Sequence, residues 1–478
     1  MKSMKKYLAM LLAIAMLFAF TVSVSAANAD LSGHTYVSYQ IFTGTQAEGS
    51  AQLASIEWGS GINAAAFLSA LKSGSFGGAF NACSTAADVA AVIKDWSDDS
   101  AEAKAFAKLA YNNKSAQSGG TTGLAAGYYL VVDVTSFDSA DVNTVKNLAL
   151  LQLTNKGDFE IRNKVSVPEV EKKVKDVNDS NGDASDWQDS ADYDIGDNVP
   201  FLLTAKLASI SDYDTYKVIF RDTLSSGLTY NRDAVVKIDG VVTNAFSIAP
   251  IGNRLTITCN NVKAAGATDN SVITVEYTAK LNQNAVIGAQ GNPNSVYLEY
   301  SNNPNESGSG TGKTPEDKVI VFTYKVVVNK VNEAEEALLG ASFELLKKAA
   351  DGQYVTLGVV DGTAASKFEW KGIDDGEYLL RETVAPKGYN KIEDVEFMVT
   401  AAHETLSENP ALTALEGGEL FAGDVATGTL TATVINEGGI VFPETGGRGT
   451  TLIYILGAMM LLGASVVLVA RKRMSNAQ

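Results

Sequence analysis

A lysine, a carboxylate and an asparagine recur together in this chain in a pattern that could form a covalent bond. Strand side chains alternate between faces with a period of two. On that period Val326, Val328 and Lys330 share one face, Tyr378, Leu380 and Glu382 another, and Leu430, Ala432, Val434 and Asn436 a third. Each row is apolar up to its polar last member. All three polar groups are therefore expected in one interior, where a buried charge requires a partner. The same types recur earlier in the same order: Lys172 between Val170 and Val174, Asp222 after Val218 and Phe220, and Asn302 after Val296, Leu298 and Tyr300.

Burial disfavours the charged form of a lysine, leaving a neutral amine that can attack the side-chain carbonyl of an asparagine. A neighbouring carboxylic acid, Glu382 in one set and Asp222 in the other, can polarise that carbonyl and shuttle protons. Ammonia then leaves, and a Lys330–Asn436 or Lys172–Asn302 isopeptide bond remains as a staple that needs no thiol. Two ordinary buried salt bridges, each with an amide nearby, would use the same residues. Spacing alone leaves both readings open.

These rows require strands, and the chain supplies them in blocks. Residues 30–165 are rich in Ala, Ser and Gly; 34–42 and 127–133 read as strands, while 86–96 and 101–111 carry helical spacing. Residues 166–318 alternate β-branched and aromatic positions between Asn/Asp/Gly turns, as a sandwich does, and close in a polar stretch at 302–318. Alternation resumes at Val319 and continues to about residue 440. The expected fold is mainly β: tandem immunoglobulin-like β-sandwich domains behind an N-terminal mixed α+β domain.

Both ends read as processing segments. Lys2, Lys5 and Lys6 precede an apolar stretch and the small residues 25–29, the form of a cleavable signal peptide over 1–29. Residues 441–478 hold Phe442, Pro443, Glu444, Thr445 and Gly446, an apolar run from Thr451 to Ala470, and Arg471, Lys472 and Arg473. A helical run of that length can cross a hydrocarbon core of roughly 30 Å, with the basic triplet on the cytoplasmic side. A plain transmembrane anchor explains the run and the charges equally well.

Composition excludes several function classes. A net charge of −17 argues against nucleic acid as a partner. Cys83 and Cys259 are too far apart in sequence to suggest a disulfide framework. His34 and His403 are isolated and read as surface or loop residues, so no metal cluster or histidine-based site is expected. The stretch 176–183 alternates oxygen donors as a calcium loop does, but Gly182 falls one place late and no closing glutamate follows, so it reads as a solvated turn. No cofactor is called for. No nucleophile–base pair or phosphate loop points to an enzyme.

The pentapeptide 442–446 resembles the LPxTG sorting signal of Gram-positive surface proteins, with Phe442 in place of leucine. That resemblance implies cleavage by a sortase between Thr445 and Gly446 and transfer of the threonine acyl group to an amine. The stretch YLLRETVAPKGY at 378–389 resembles the E-box of collagen-adhesin B-type domains in Gram-positive pilins, whose glutamate catalyses an intramolecular isopeptide bond. Residues 171–174, 220–228 and 299–304 resemble the isopeptide-forming middle domain of major fimbrial subunits.

The resemblance to sortase-assembled major pilins implies a covalent homopolymer of this chain. Its partners would be sortase, minor pilins, peptidoglycan and host surface ligands, and its place the cell wall and cell surface. In that family the acceptor lysine sits at the junction of the first two domains, which here points to Lys164, with Lys156, Lys173 and Lys175 as substitutes. The first domain has no lysine at the equivalent face of its opening strand and is expected to carry no such bond. A wall-anchored adhesin that never polymerises is the competing structural reading.

Overall fold

The computed structural model describes residues 33–47, 52–76, 78–154, 166–306, 309–440 and 448–475, with side chains within the last segment described over 453–469. The fold is mostly β, as the alternation predicts.

The N-terminal unit is a four-stranded antiparallel sheet in the order Ala54–Trp58, Tyr36–Thr45, Gly127–Asp133, Leu150–Leu153. The helices Ala64–Ser73, Ala86–Ile93 and Ala101–Asn112 share a core with it through Phe67, Leu71, Val89 and Phe106. Each helix begins at a polar cap. At Thr85 the capping is reciprocal with Asp88, which satisfies amide donors that the first turn leaves open.

The middle unit is a sandwich of two sheets. One runs Val241–Val242, Val235–Ile238, Val272–Leu281, Asn198–Lys206, Glu169–Val174; the other runs Ser247–Ile251, Arg254–Cys259, Val218–Leu224, Asn292–Ser301, Asp317–Phe322, Ser190–Asp192. Period-two burial is strict where both faces differ. Val199, Phe201, Leu203 and Ala205 point inward, as do Ile273, Val275, Tyr277 and Ala279 on the strand opposite, with Val275 across from Leu203 and Tyr277 across from Phe201. The strand Asp317–Phe322 straddles the domain limit expected at 318/319 and pairs with the middle sandwich, so the chain hands over to the next unit near Thr323.

The third unit packs a four-stranded sheet (Lys367–Ile373, Tyr324–Val331, Thr429–Ile435, Ala422–Asp424) on a five-stranded one (Tyr354–Asp361, Ser342–Lys348, Gly376–Val384, Val395–His403, Leu412–Glu416). Its first and last long strands, Tyr324–Val331 and Thr429–Ile435, lie side by side in parallel, with Lys330 opposite Val434.

Three readings are corrected. Both histidines are largely enclosed, with side chains 7% exposed: His34 against Asp133, and His403 among Asp176, Asp192 and Ser190. A ring that reaches a carboxylate loses little by leaving water, which the isolation of histidine in sequence did not show. The segment 176–183 docks on the third unit: the Asn178 amide donates to Asp375, and the Glu377 amide donates to the Ser180 hydroxyl. The C-terminal apolar run forms the helix Arg448–Ser475, but among the described residues no helix is long and apolar enough to cross a membrane. Residues 1–32 and 441–447, which include the signal segment and Phe442, Pro443, Glu444, Thr445 and Gly446, lie outside the described residues, as do Lys156 and Lys164.

Candidate isopeptide sites

In the third unit Lys330, Glu382 and Asn436 converge. Lys330 and Glu382 are fully buried and Asn436 is 1% exposed. The Asn436 amide nitrogen donates to both Glu382 oxygens, at 2.9 and 3.1 Å, while its own carbonyl oxygen has no hydrogen-bond partner. Lys330 Nζ donates to the carbonyls of Val331 and Val434, and the backbone amide of Asn436 donates to that same Val331 carbonyl. Amine and amide are thus neighbours at the ends of two parallel strands, with the carboxylate reaching them from the opposite sheet. Burial lowers the Lys330 pKa.

The middle unit brings together Lys172 and Asp222, both essentially without solvent contact, at 2.5 Å. Burial pulls the lysine down and pushes the Asp222 carboxyl up, which favours the neutral amine and neutral acid. Asn302 is not with them. It lies just past the strand Asn292–Ser301, its backbone carbonyl accepting from Lys146 and its side chain near Thr144. Asp222 stands opposite Val296, so Asn302 is six residues further along, roughly 20 Å at strand rise.

Asn294 occupies the position instead. It is fully buried on the same face, two residues from Val296 on the other side. Its amide nitrogen donates to Tyr277 Oη at 2.8 Å, and its carbonyl oxygen has no hydrogen-bond partner. Tyr277 Oη also accepts from Lys172 Nζ at 3.0 Å and donates to Asp222 at 2.9 Å. The neighbouring Asn292 is equally buried but spends its amide on Val286 and Val321, which marks it as structural.

A third buried lysine has different surroundings. Lys347 is 5% exposed, and burial alone would lower its pKa, but Asp374 and Asp194 more than reverse this, with Asp179 also in contact. It stays a cation at the seam between the second and third units. Lys172 faces one close carboxylate and Lys330 only carbonyls, so neither is held charged in that way. Of the substitute acceptors, Lys173 is tied to Glu171 and Asp189, and Lys175 lies over the Trp187 ring.

Sequence reasoning missed Asn294 and Tyr277. Asn294 falls in the same alternating row as Asn302, so a search of that row for every amide would have found it. Nothing in the strand pattern distinguishes Tyr277 from an ordinary core tyrosine.

Comparison with known proteins gives a consistent picture. Residues 195–304 match the family described as Gram-positive pilin backbone subunit 2, Cna-B-like domain, and residues 324–410 match the SpaA prealbumin-like fold domain. A trypsin-resistant surface T6 protein of Streptococcus pyogenes serotype M6 is 26% identical over 251 residues, spanning 48% of this chain and 44% of that protein's length. The solved structure of the T6 backbone pilin of serotype M6 Streptococcus pyogenes, described as modular and three-domain, superposes with a TM-score of 0.55 at 16% identity, covering 86% of this chain and 98% of that one. The full-length major pilin RrgB from Streptococcus pneumoniae gives a TM-score of 0.42 at 15% identity, covering 67% and 85%.

Proposed function

We propose that this chain, which its domain families and relatives support as a Gram-positive major pilin, is the repeating shaft subunit of a surface pilus. After export through the N-terminal signal, the chain reaches the cell surface. A sortase then cleaves between Thr445 and Gly446, and the acyl group passes to Lys164 of the next copy. Internal bonds Lys330–Asn436 and Lys172–Asn294 make each subunit resistant to unravelling, the first joining neighbouring strands of one sheet and the second joining the two sheets of its sandwich.

The observation that carries this reading is that a buried lysine, a buried asparagine and a buried carboxyl group converge in each of two successive sandwiches. In each, the lysine attacks the asparagine carbonyl carbon, the acid moves a proton from the attacking to the leaving nitrogen, and ammonia departs. Glu382 and Asp222 are the catalytic acids.

A denaturing gel of wall extracts tests polymerisation. A ladder of boiling-resistant species, lost in Thr445→Ala and in Lys164→Ala, is expected; a single wall-linked band would instead make the chain a non-polymerising adhesin. Intact mass of the ectodomain tests the internal bonds, with a deficit of one ammonia for each.

A further inference from the structure

We propose that Tyr277 is a catalytic residue of the middle-unit bond, relaying the proton from Asp222 to the leaving nitrogen of Asn294. This rests on the reading that Lys172 and Asn294 become linked. The two sites differ in how the acid reaches the amide. In the third unit the Glu382 carboxylate contacts the Asn436 amide nitrogen directly through both oxygens. In the middle unit the acid is an aspartate, one methylene shorter, and its Oδ2 meets Lys172 Nζ and Tyr277 Oη while its Oδ1 has no hydrogen-bond partner. The Asn294 nitrogen is bonded to the phenol at 2.8 Å. The hydroxyl therefore fills the span that the extra methylene of a glutamate covers in the other site, and it touches the amine, the acid and the amide together.

The ring is fixed for this task. Tyr277 is 3% exposed, stacks on Phe201 with centroids 5.4 Å apart, and stands directly across from it in the strand register. Lys172 Nζ lies 5.3 Å from the Phe201 ring centroid and 5.4 Å from that of Tyr277. Burial and the adjacent Asp222 push the phenol pKa up, so it keeps its proton until the amide nitrogen becomes basic.

The step balances. Lys172 ammonium first gives a proton to Asp222, leaving a neutral amine and a neutral acid. The amine then adds to the Asn294 carbonyl carbon. In the tetrahedral adduct the Asn294 nitrogen takes the phenolic proton, and Tyr277 recovers one from Asp222. The C–N bond to that nitrogen breaks, ammonia leaves, and Asp222 regains a proton from the new amide nitrogen. No oxidant or co-reactant enters.

The test follows ammonia loss by intact mass in freshly synthesised full ectodomain, assigning the linked peptides after digestion. Tyr277→Phe keeps the ring and its stacking and removes only the hydroxyl. Middle-unit bond formation should slow by roughly 100-fold, while the third-unit bond forms at its normal rate and reports that the chain has folded. Adding Asp222→Glu to Tyr277→Phe should restore the middle-unit bond, because the longer acid reaches the amide by itself; a purely structural tyrosine would not be rescued this way. A wild-type rate in Tyr277→Phe overturns the proposal, as does a loss that Asp222→Glu leaves unrepaired. If Lys172→Met leaves the ammonia deficit unchanged from wild type, the underlying Lys172–Asn294 linkage falls and the relay with it.

Discussion

Replacing Asn436 by Leu removes the electrophile of the third-unit bond while keeping a side chain of similar shape and leaving both Lys330 and Glu382 unchanged. Without a cross-link, the substitution costs the two hydrogen bonds to Glu382, about 1–3 kcal/mol in all at about 0.5–1.5 kcal/mol each. With a cross-link, it also releases a loop of about 106 residues between 330 and 436, which the chain-entropy relation for covalent staples values at about 5 kcal/mol. For a unit of this size each kcal/mol moves the midpoint by roughly 4 °C, so the two cases separate into a drop of roughly 4–12 °C and one of roughly 24–32 °C. Differential scanning calorimetry of the ectodomain resolves them, with the middle unit as internal reference, and intact mass should rise by one ammonia beyond the substitution itself. A small drop with no such change in mass would refute the argument that amine and amide join in this interior.

Asn294→Ala should abolish the middle-unit ammonia loss and Asn302→Ala should not; peptide mapping decides, and the reverse result would overturn the register argument. Lys347→Met leaves the Asp179, Asp194 and Asp374 carboxylates without their cation, a loss expected to cost about 3–5 kcal/mol at the seam. Faster proteolysis near residues 190–197 relative to wild type would register it. The same seam should loosen as pH rises. His403 is raised to about 9, first against burial and then by Asp176 and Asp192, so its stabilising contribution is full below about 6.5 and lost as pH climbs through 9. Asp375, near Asp192, Asp176 and Lys347, is raised to about 7 by burial. Asp197, near Asp194, Asp179 and Lys347, is raised to about 6. Both keep a proton that the unfolded chain has already given up, so their contribution also falls as pH rises from about 4 through 7. Amide protection factors over 190–195 and 374–377, which correct exchange for its intrinsic rise with pH, should therefore fall between about pH 4 and 9, and a rise over that range would refute the assignment.

Much of this architecture was legible in the chain because strand alternation is a local property. A row such as Val326, Val328, Lys330 shows which side faces the core wherever the strand ends up, so Lys172, Lys330, Asp222, Glu382 and Asn436 could all be assigned to interiors beforehand. The order of strand-rich and helix-bearing blocks likewise announced the mainly β fold. Alternation is blind to position along a strand, however. Asn294 and Asn302 satisfy the same period, and only the pairing of Val296 with Asp222 decides which one reaches the tyrosine hydroxyl that Lys172 also contacts. The role of Tyr277, the seam around Lys347 and the enclosure of both histidines depend on side chains that come from strands and loops distant in sequence. Their partners are fixed by how sheets stack and units abut, a long-range outcome that no local periodicity encodes.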